Sequence, residues 1–257
     1  MYVISARVPL GPYSADQKLA LPDDRWTIDG TLLTFEGQRW FVWSGWAGAD
    51  NGEQNLYICR MNSPLEPTGS QYIISQPRER WEQGDHPLVN EGPEVIVDPN
   101  GQLHIVYSAN GSWDNKYCLA DLRLRRGGDP AHVQDYIKSN GCLFGTHQDR
   151  MMAGWDATLF INGPGHHTFA LSNSDINQSP RGVKHVPFVF HGVEKGTVYN
   201  WANRAWFTGS FVWWSGTNYH QANVPVDNNN SGFSFKIFEY TPKNVDLQDV
   251  AANIIWL

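Results

Sequence analysis

The segment Glu91-Gly-Pro-Glu-Val-Ile-Val-Asp-Pro-Asn-Gly-Gln-Leu-His-Ile-Val-Tyr-Ser-Ala109 decides how the chain folds. It opens on a polar, glycine-containing loop, passes through an apolar run of strand length and turns at Asp98-Pro-Asn-Gly101. Asn-Gly accepts positive φ and therefore suits a hairpin. The second run, Ile105-Val-Tyr-Ser-Ala, packs β-branched and aromatic residues and stops at a small residue, as strands do before a tight connection. Similar runs recur on either side, at Tyr2-Val-Ile-Ser-Ala, Phe41-Val-Trp-Ser-Gly, Phe188-Val-Phe-His-Gly and Phe211-Val-Trp-Trp-Ser-Gly. First strands like that of Glu91 begin at Ile28-Asp-Gly-Thr-Leu-Leu and Gly163-Pro-Gly-His-His-Thr-Phe, with a further turn at Glu36-Gly37. Third strands follow at Leu56-Tyr-Ile-Cys-Arg-Met and Tyr117-Cys-Leu-Ala-Asp-Leu. Units of about 60 residues with three or four antiparallel strands are what β-propeller blades look like in sequence. A β-sandwich of similar strands is the competing fold, but it does not require a polar, glycine-rich segment at the head of every unit.

Composition agrees with an all-β domain. The chain has 257 residues, 41% hydrophobic and 18% charged, enough to bury the core of one large β domain. Aromatic residues make up 13%, and these favour strands, sugar-stacking surfaces and interface anchors. No apolar run approaches the roughly 18 residues of a membrane span. A net charge of −7 without a basic stripe argues against nucleic acid as a partner. Cys59, Cys118 and Cys142 show no CxxC spacing, so zinc ribbons and redox dithiols lack support. Three buried free thiols are expected ahead of one disulfide with a spare thiol.

The N-terminus aligns with the repeat. Met1-Tyr-Val-Ile-Ser-Ala-Arg lacks a cationic start and a long apolar stretch, so it reads as a strand and not as a signal peptide. Tyr2 to Pro12 aligns without a gap onto Tyr57 to Glu66-Pro67, with Pro9 and Pro64 each seven positions after the tyrosine. Tyr2 therefore belongs to the third strand of its blade. Residues 1–22 read as what remains of blade one, and residues 23–257 as the remaining blades and a C-terminal strand of one propeller domain. The tail from Asp227 is expected to supply a last strand completing blade one. Asn110-Gly-Ser112 and Asn229-Asn-Ser231 would accept N-glycans in a secreted protein.

The inner strands of a propeller surround its axis, so polar residues at their entries converge on one ligand. Two entries carry an acid, Asp29 in Trp26-Thr-Ile-Asp-Gly and Glu91 in Asn90-Glu-Gly-Pro. Paired carboxylates suit glycosidic bonds, because one donates a proton to the leaving oxygen while another activates water. The competing view is that Asp29-Gly30 and Glu91-Gly92 are ordinary turn residues.

The ordered set Trp26-Thr-Ile-Asp-Gly, Trp43-Ser-Gly-Trp46, Gln54-Asn-Leu-Tyr-Ile, Asn90-Glu-Gly-Pro-Glu, Val106-Tyr-Ser-Ala, Tyr117-Cys-Leu and Gly163-Pro-Gly-His166 resembles glycoside hydrolase family 43. The similarity is firmest from Asp24 to Phe169. It implies a five-bladed β-propeller, here with an incomplete N-terminal blade, and an inverting enzyme of the α-L-arabinofuranosidase or xylosidase type. Its partner would be an arabinose- or xylose-containing oligosaccharide or polysaccharide. The resemblance makes Glu91 the general acid and Asp29 the residue that orients it and modulates its pKa. Glu94, three residues on, is expected to face away from Glu91 by strand alternation. His166 would lie near the axis, where family members often hold a calcium ion or its waters; a hydrogen-bonded core histidine is the alternative. No cofactor is required. Arg204, in Asn200-Trp-Ala-Asn-Arg, resembles an arginine at the mouth of the pocket, with a surface arginine as the alternative. Trp46 and Trp113 are candidate stacking residues, against ordinary blade packing.

The family's general base, an aspartate on the inner strand of blade one, has no counterpart in the sequence. Asp29 precedes Tyr57 by 28 positions and Glu91 precedes Tyr117 by 26; the same offset from Tyr2 falls before Met1. An inactive fragment, or a sugar-binding propeller without turnover, is therefore the competing function. Family members are commonly extracellular, which is the expectation for a full-length relative.

Overall fold

In the computed structural model the repeat folds as antiparallel blades. The structure describes residues 1–98, 101–139, 141–145, 161–170, 185–215 and 233–241. Blade two is β3 (Thr27–Phe35), β4 (Gln38–Trp46), β5 (Glu53–Ser63) and β6 (Glu66–Ser75). Blade three is β7 (Leu88–Val97), β8 (Leu103–Ala109), β9 (Cys118–Leu124) and β10 (Tyr136–Lys138). A separate four-stranded sheet holds β11 (Ile161–Phe169), β12 (His185–Glu194), β13 (Ala205–Ser215) and β14 (Phe233–Thr241). The β3–β4 hairpin turns through Glu36 and Gly37, both at positive φ (49° and 78°), as a two-residue hairpin requires. Of the second predicted turn, positions 99 and 100 fall outside the described residues.

β1 (Tyr2–Val3) and β2 (Gln17–Lys18) form a separate antiparallel pair in which Tyr2 faces Lys18. In blade two Tyr57 faces Ile73, an offset of the same sixteen positions. The pair thus has the same sequence offset as the third and fourth strands of blade two. The described residues trace this pair, one eight-stranded sheet in which blades two and three are joined, and the four-stranded sheet β11–β14, and they do not close a ring of five blades.

Two expectations are corrected. The C-terminal strand β14 lies along β13, with Thr208 opposite Thr241 and Ser215 opposite Phe233. Among the described residues it extends the last sheet and pairs with no strand of blade one, because adjacent antiparallel strands pair locally before they pair across the molecule. Cys118 and Cys142 form a disulfide with their Cα atoms 5.8 Å apart, and Cys59 alone is free and buried. The pairing arises because residues 141–145 fold back on β9, where Leu119 bridges Phe144.

Blades two and three share one core. Leu33, Val42, Leu56, Ile58, Ile74, Val95, Ile105 and Leu122 pack in a single buried cluster, and a short parallel pairing of Glu53–Gln54 with Leu88–Val89 joins the two sheets. Glu82, fully buried beside this joint, accepts hydrogen bonds from Asn90 (3.0 Å), from Tyr107 (2.8 Å) and, on both carboxylate oxygens, from the Lys138 ammonium (2.9 and 2.8 Å). Buried charge is tolerated when it is paired and hydrogen-bonded in this way. Asn90 immediately precedes Glu91, so the network anchors the strand that carries the candidate acid.

Candidate active site

Each inner strand breaks its ladder at the motif that the sequence singles out. On β3, Ile28 pairs with Ser44 and Thr31 with Val42; on β7, Glu91 pairs with Ser108 and Glu94 with Val106. Between these pairs two residues on the inner strand oppose one on its neighbour, which defines a β-bulge. Asp29 (φ 56°) and Gly92 (φ 56°) take the left-handed conformation at these bulges, and His166 (φ 48°) takes it on β11. Such backbone is uncommon for non-glycine residues and clusters at functional sites.

The bulge on β7 overturns the expectation for Glu94. Ser108 and Val106 lie on one face of β8, so their partners Glu91 and Glu94 also share a face. Glu94 lies with Asp29, His166, His167 and Thr168 around a cavity of about 190 Å³. Burial pushes its carboxyl up to about 7, against the smaller opposing effects of its hydrogen bond to Thr168 and of His166.

Asp29 and Glu91 meet through the backbone. Asp29 Oδ2 accepts the Gly92 N–H at 2.9 Å, so it grips the peptide next to the candidate acid. Burial raises the Asp29 carboxyl above its usual range, and the Glu91 charge adds to this while His166 and the Gly92 N–H oppose it. His166 lies between the two acids, with Nε2 3.6 Å from Asp29 Oδ1 and Nδ1 4.0 Å from Glu91 Oε1. The Glu91 carboxylate, followed by Asp29 and Glu94, raises the His166 imidazole against the effect of burial. Tyr117, wholly buried, donates its hydroxyl to Glu91 Oε1 at 2.7 Å.

Beyond His166, Glu91 opens into a cavity of about 480 Å³ lined also by Ile28, Ser112, His191, Trp201, Arg204 and Trp206. Arg204 lies at this cavity, not on the open surface. All five of its N–H groups are engaged: Nε on His191 Nδ1 (2.6 Å), one terminal nitrogen on Ser112 O and Tyr199 Oη (2.9 and 2.5 Å), the other on Gly163 O and His191 O (2.7 and 3.0 Å). It is thereby a clamp between β11, β12 and the loop at Ser112. Burial, then the charges of Arg204 and His166, drives the His191 imidazole down to about 3, so it stays neutral and accepts from Arg204.

Trp46 and Trp113 do not line the cavity. Trp46 stacks on Trp26 with centroids 5.1 Å apart, and the Trp113 indole N–H is tied to Asp85. Trp201 and Trp206, 69% and 50% exposed, stand at the rim instead. Trp201 is held upright by its N–H on Ser112 Oγ at 3.0 Å. The sequence pointed to them only through their neighbour Arg204. Among the described residues no group of three or more His, Cys, Asp or Glu side chains is arranged to hold a metal. His166 offers a nitrogen, whereas calcium prefers oxygen ligands.

Carboxylates carried on neighbouring blades, one of them at an aromatic-rimmed cavity and the others bordering the cavity beside it, suit a propeller glycosidase. The sequence model of glycosyl hydrolases family 43 matches residues 1–217, and the chain belongs to that family. It is 31% identical over 182 residues to an extracellular exo-α-(1→5)-L-arabinofuranosidase of Streptomyces avermitilis, covering 68% of this chain and 35% of that protein. It is 30% identical over 155 residues to α-L-arabinofuranosidase 43 of Humicola insolens, covering 60% of this chain and 30% of the relative. The chain thus spans about a third of the length of these curated relatives. The crystal structure of an α-L-arabinofuranosidase from Lactobacillus brevis superposes with a TM-score of 0.65 at 23% identity, covering 82% of this chain and 62% of that one. A thermostable family-43 glycoside hydrolase gives 0.63 at 22%, covering 91% and 64%. These likenesses show the propeller fold. No helix among the described residues is long and apolar enough to cross a membrane.

Proposed function

We propose that this chain hydrolyses O-glycosidic bonds in arabinose-bearing plant cell-wall polysaccharides, as an inverting α-L-arabinofuranosidase. The observation that carries the reading is Glu91, held at the cavity by Tyr117 and backed through Gly92 by Asp29. Protonated Glu91 would deliver its proton to the glycosidic oxygen as the bond to the anomeric carbon breaks. Inversion also requires a carboxylate that takes a proton from the attacking water; the resemblance places it on the first blade, and among the described residues no carboxylate besides Glu91 lines this cavity. Asp29 keeps the acid in place from the neighbouring blade. Trp201 and Trp206 offer the aromatic walls on which sugar C–H faces stack. The arabinofuranosidase names of the relatives support this substrate class, and the buried disulfide together with an extracellular relative supports an oxidising, extracellular setting.

A second reading is a sugar-binding propeller without turnover. It is favoured by the Glu91 cavity, which that one carboxylate lines; Asp29 and Glu94 border the neighbouring one. The purified chain is therefore to be incubated with 4-nitrophenyl α-L-arabinofuranoside. Release of arabinose, with the rate on an arabino-oligosaccharide falling by about 10²–10⁴ in Glu91→Gln, supports the hydrolase, the usual contribution of a positioned proton donor. Saturable arabinose binding without release would replace it with the second reading.

A further inference from the structure

Tyr117 lies in the interior yet points its one polar atom at the candidate acid. Its side chain is fully buried, and its hydroxyl is 2.7 Å from Glu91 Oε1 but 3.4 Å from His166 Nδ1. The shorter contact takes the proton, since hydroxyl donors favour about 2.7 Å. The Ser108 hydroxyl nearby is the acceptor for the backbone N–H of His166 at 2.7 Å.

The surroundings fix the ring as firmly as the hydroxyl. The Arg204 guanidinium lies 5.1 Å from the ring centroid, and the His191 ring stacks at 6.1 Å and 19°. Arg204 itself is immobilised by its five hydrogen bonds. The backbone of β11 passes against the ring edge: a Cβ at Gly165 would stand 2.2 Å from Tyr117 Cε1, so only glycine fits there. The Gly-Pro-Gly-His motif therefore makes room for a tyrosine on the neighbouring blade. Cys118, the next residue, is anchored by its disulfide.

We infer that Tyr117 is a positioning residue for the acid: by holding Glu91 Oε1 it leaves Oε2 as the oxygen that carries and delivers the proton. A carboxylic acid donates from one oxygen, and an oxygen that already accepts a strong hydrogen bond is the poorer place for its proton. This inference rests on the reading of Glu91 as general acid. Arg204 and His191 then act one step further out, by pressing the phenol into place.

The test is the leaving-group dependence of Tyr117→Phe, which deletes only the hydroxyl. An arabino-oligosaccharide needs its leaving oxygen protonated, whereas 2,4-dinitrophenyl α-L-arabinofuranoside does not. The variant should lose about 10- to 100-fold in kcat/KM on the oligosaccharide, and about threefold or less on the dinitrophenyl glycoside. Equal losses on both substrates would mark general damage to the fold and overturn the inference. A second measurement needs no turnover: urea midpoints of Tyr117→Phe, Glu91→Gln and the double variant. The two substitutions should be non-additive, because residues in direct contact couple; additive shifts overturn the contact itself. If the parent chain releases no sugar from any substrate, the glycosidase reading falls, and the urea cycle alone decides whether Tyr117 holds Glu91.

Discussion

Arg204 illustrates how a site residue can be found for one reason and retained for another. The resemblance placed it at the pocket mouth as a substrate ligand, and the structure places it at the cavity with every donor already committed to protein acceptors. Arg204→Lys keeps the charge but strands several of those acceptors, and should cost about 1–3 kcal/mol of stability, read as a lower urea midpoint. Glu94 gives a pH prediction. Its carboxyl stands at about 7 in the folded chain against an ordinary 4.5, so the folded state binds the extra proton. Stability is then full below about pH 4.5 and declines as pH rises through 7. Glu94→Gln, which cannot ionise, should match the parent at pH 4 and exceed it at pH 8 by about 1–3 kcal/mol in thermal or urea unfolding. Asp29 and Glu91 were legible in the sequence because a whole ordered motif set carries them. Glu94 was not, because strand alternation holds only where the ladder is regular and Gly92 breaks it. Trp46 and Trp113 failed for a different reason: the repeat places their backbones, but a partner such as Trp26 or Asp85 decides where an indole goes.

At the level of strands and loops, two devices hold the neighbourhood of Glu91. The disulfide closes a loop of 24 residues and ties the 141–145 segment to β9. Replacing Cys118 and Cys142 together by serine should cost about 3 kcal/mol, seen as a lower denaturant midpoint, and reductant should act on the parent chiefly once it unfolds. The Glu82 network joins blades two and three. Lys138→Met would leave Glu82 buried without its cation and should cost about 3–5 kcal/mol in the same assay. Hairpins and first strands could be placed from sequence because their apolar runs and turn residues are local. The cysteine pairing could not, since it depends on Phe144 folding back to Leu119 and packing against Phe188 and Phe190 of another sheet. Nor could the Glu82 network, whose members scatter between Ser75 and Lys138 in the chain.

Across the molecule, blades two and three behave as one body, since a parallel seam and a common core unite their eight strands. Hydrogen exchange should find the amides of β4, β5 and β8 opening together with the largest protection. Those of Tyr2–Val3 and Gln17–Lys18, in a two-stranded pair whose side chains are exposed except for a half-buried Val3, should exchange first. Distinct opening free energies for blades two and three would refute the shared body. The repeat made the individual blades readable; it did not reveal the seam, because Glu53 and Leu88 meet through blade packing and not through any local pattern. The saturation of Arg204 also has a pharmacological corollary. A carboxylate-bearing inhibitor designed to pair with this arginine would find its attraction but none of its hydrogens, and so would bind weakly and lose affinity steeply in salt. Neutral furanose mimics that reach Glu91 between Trp201 and Trp206 are the better starting compounds.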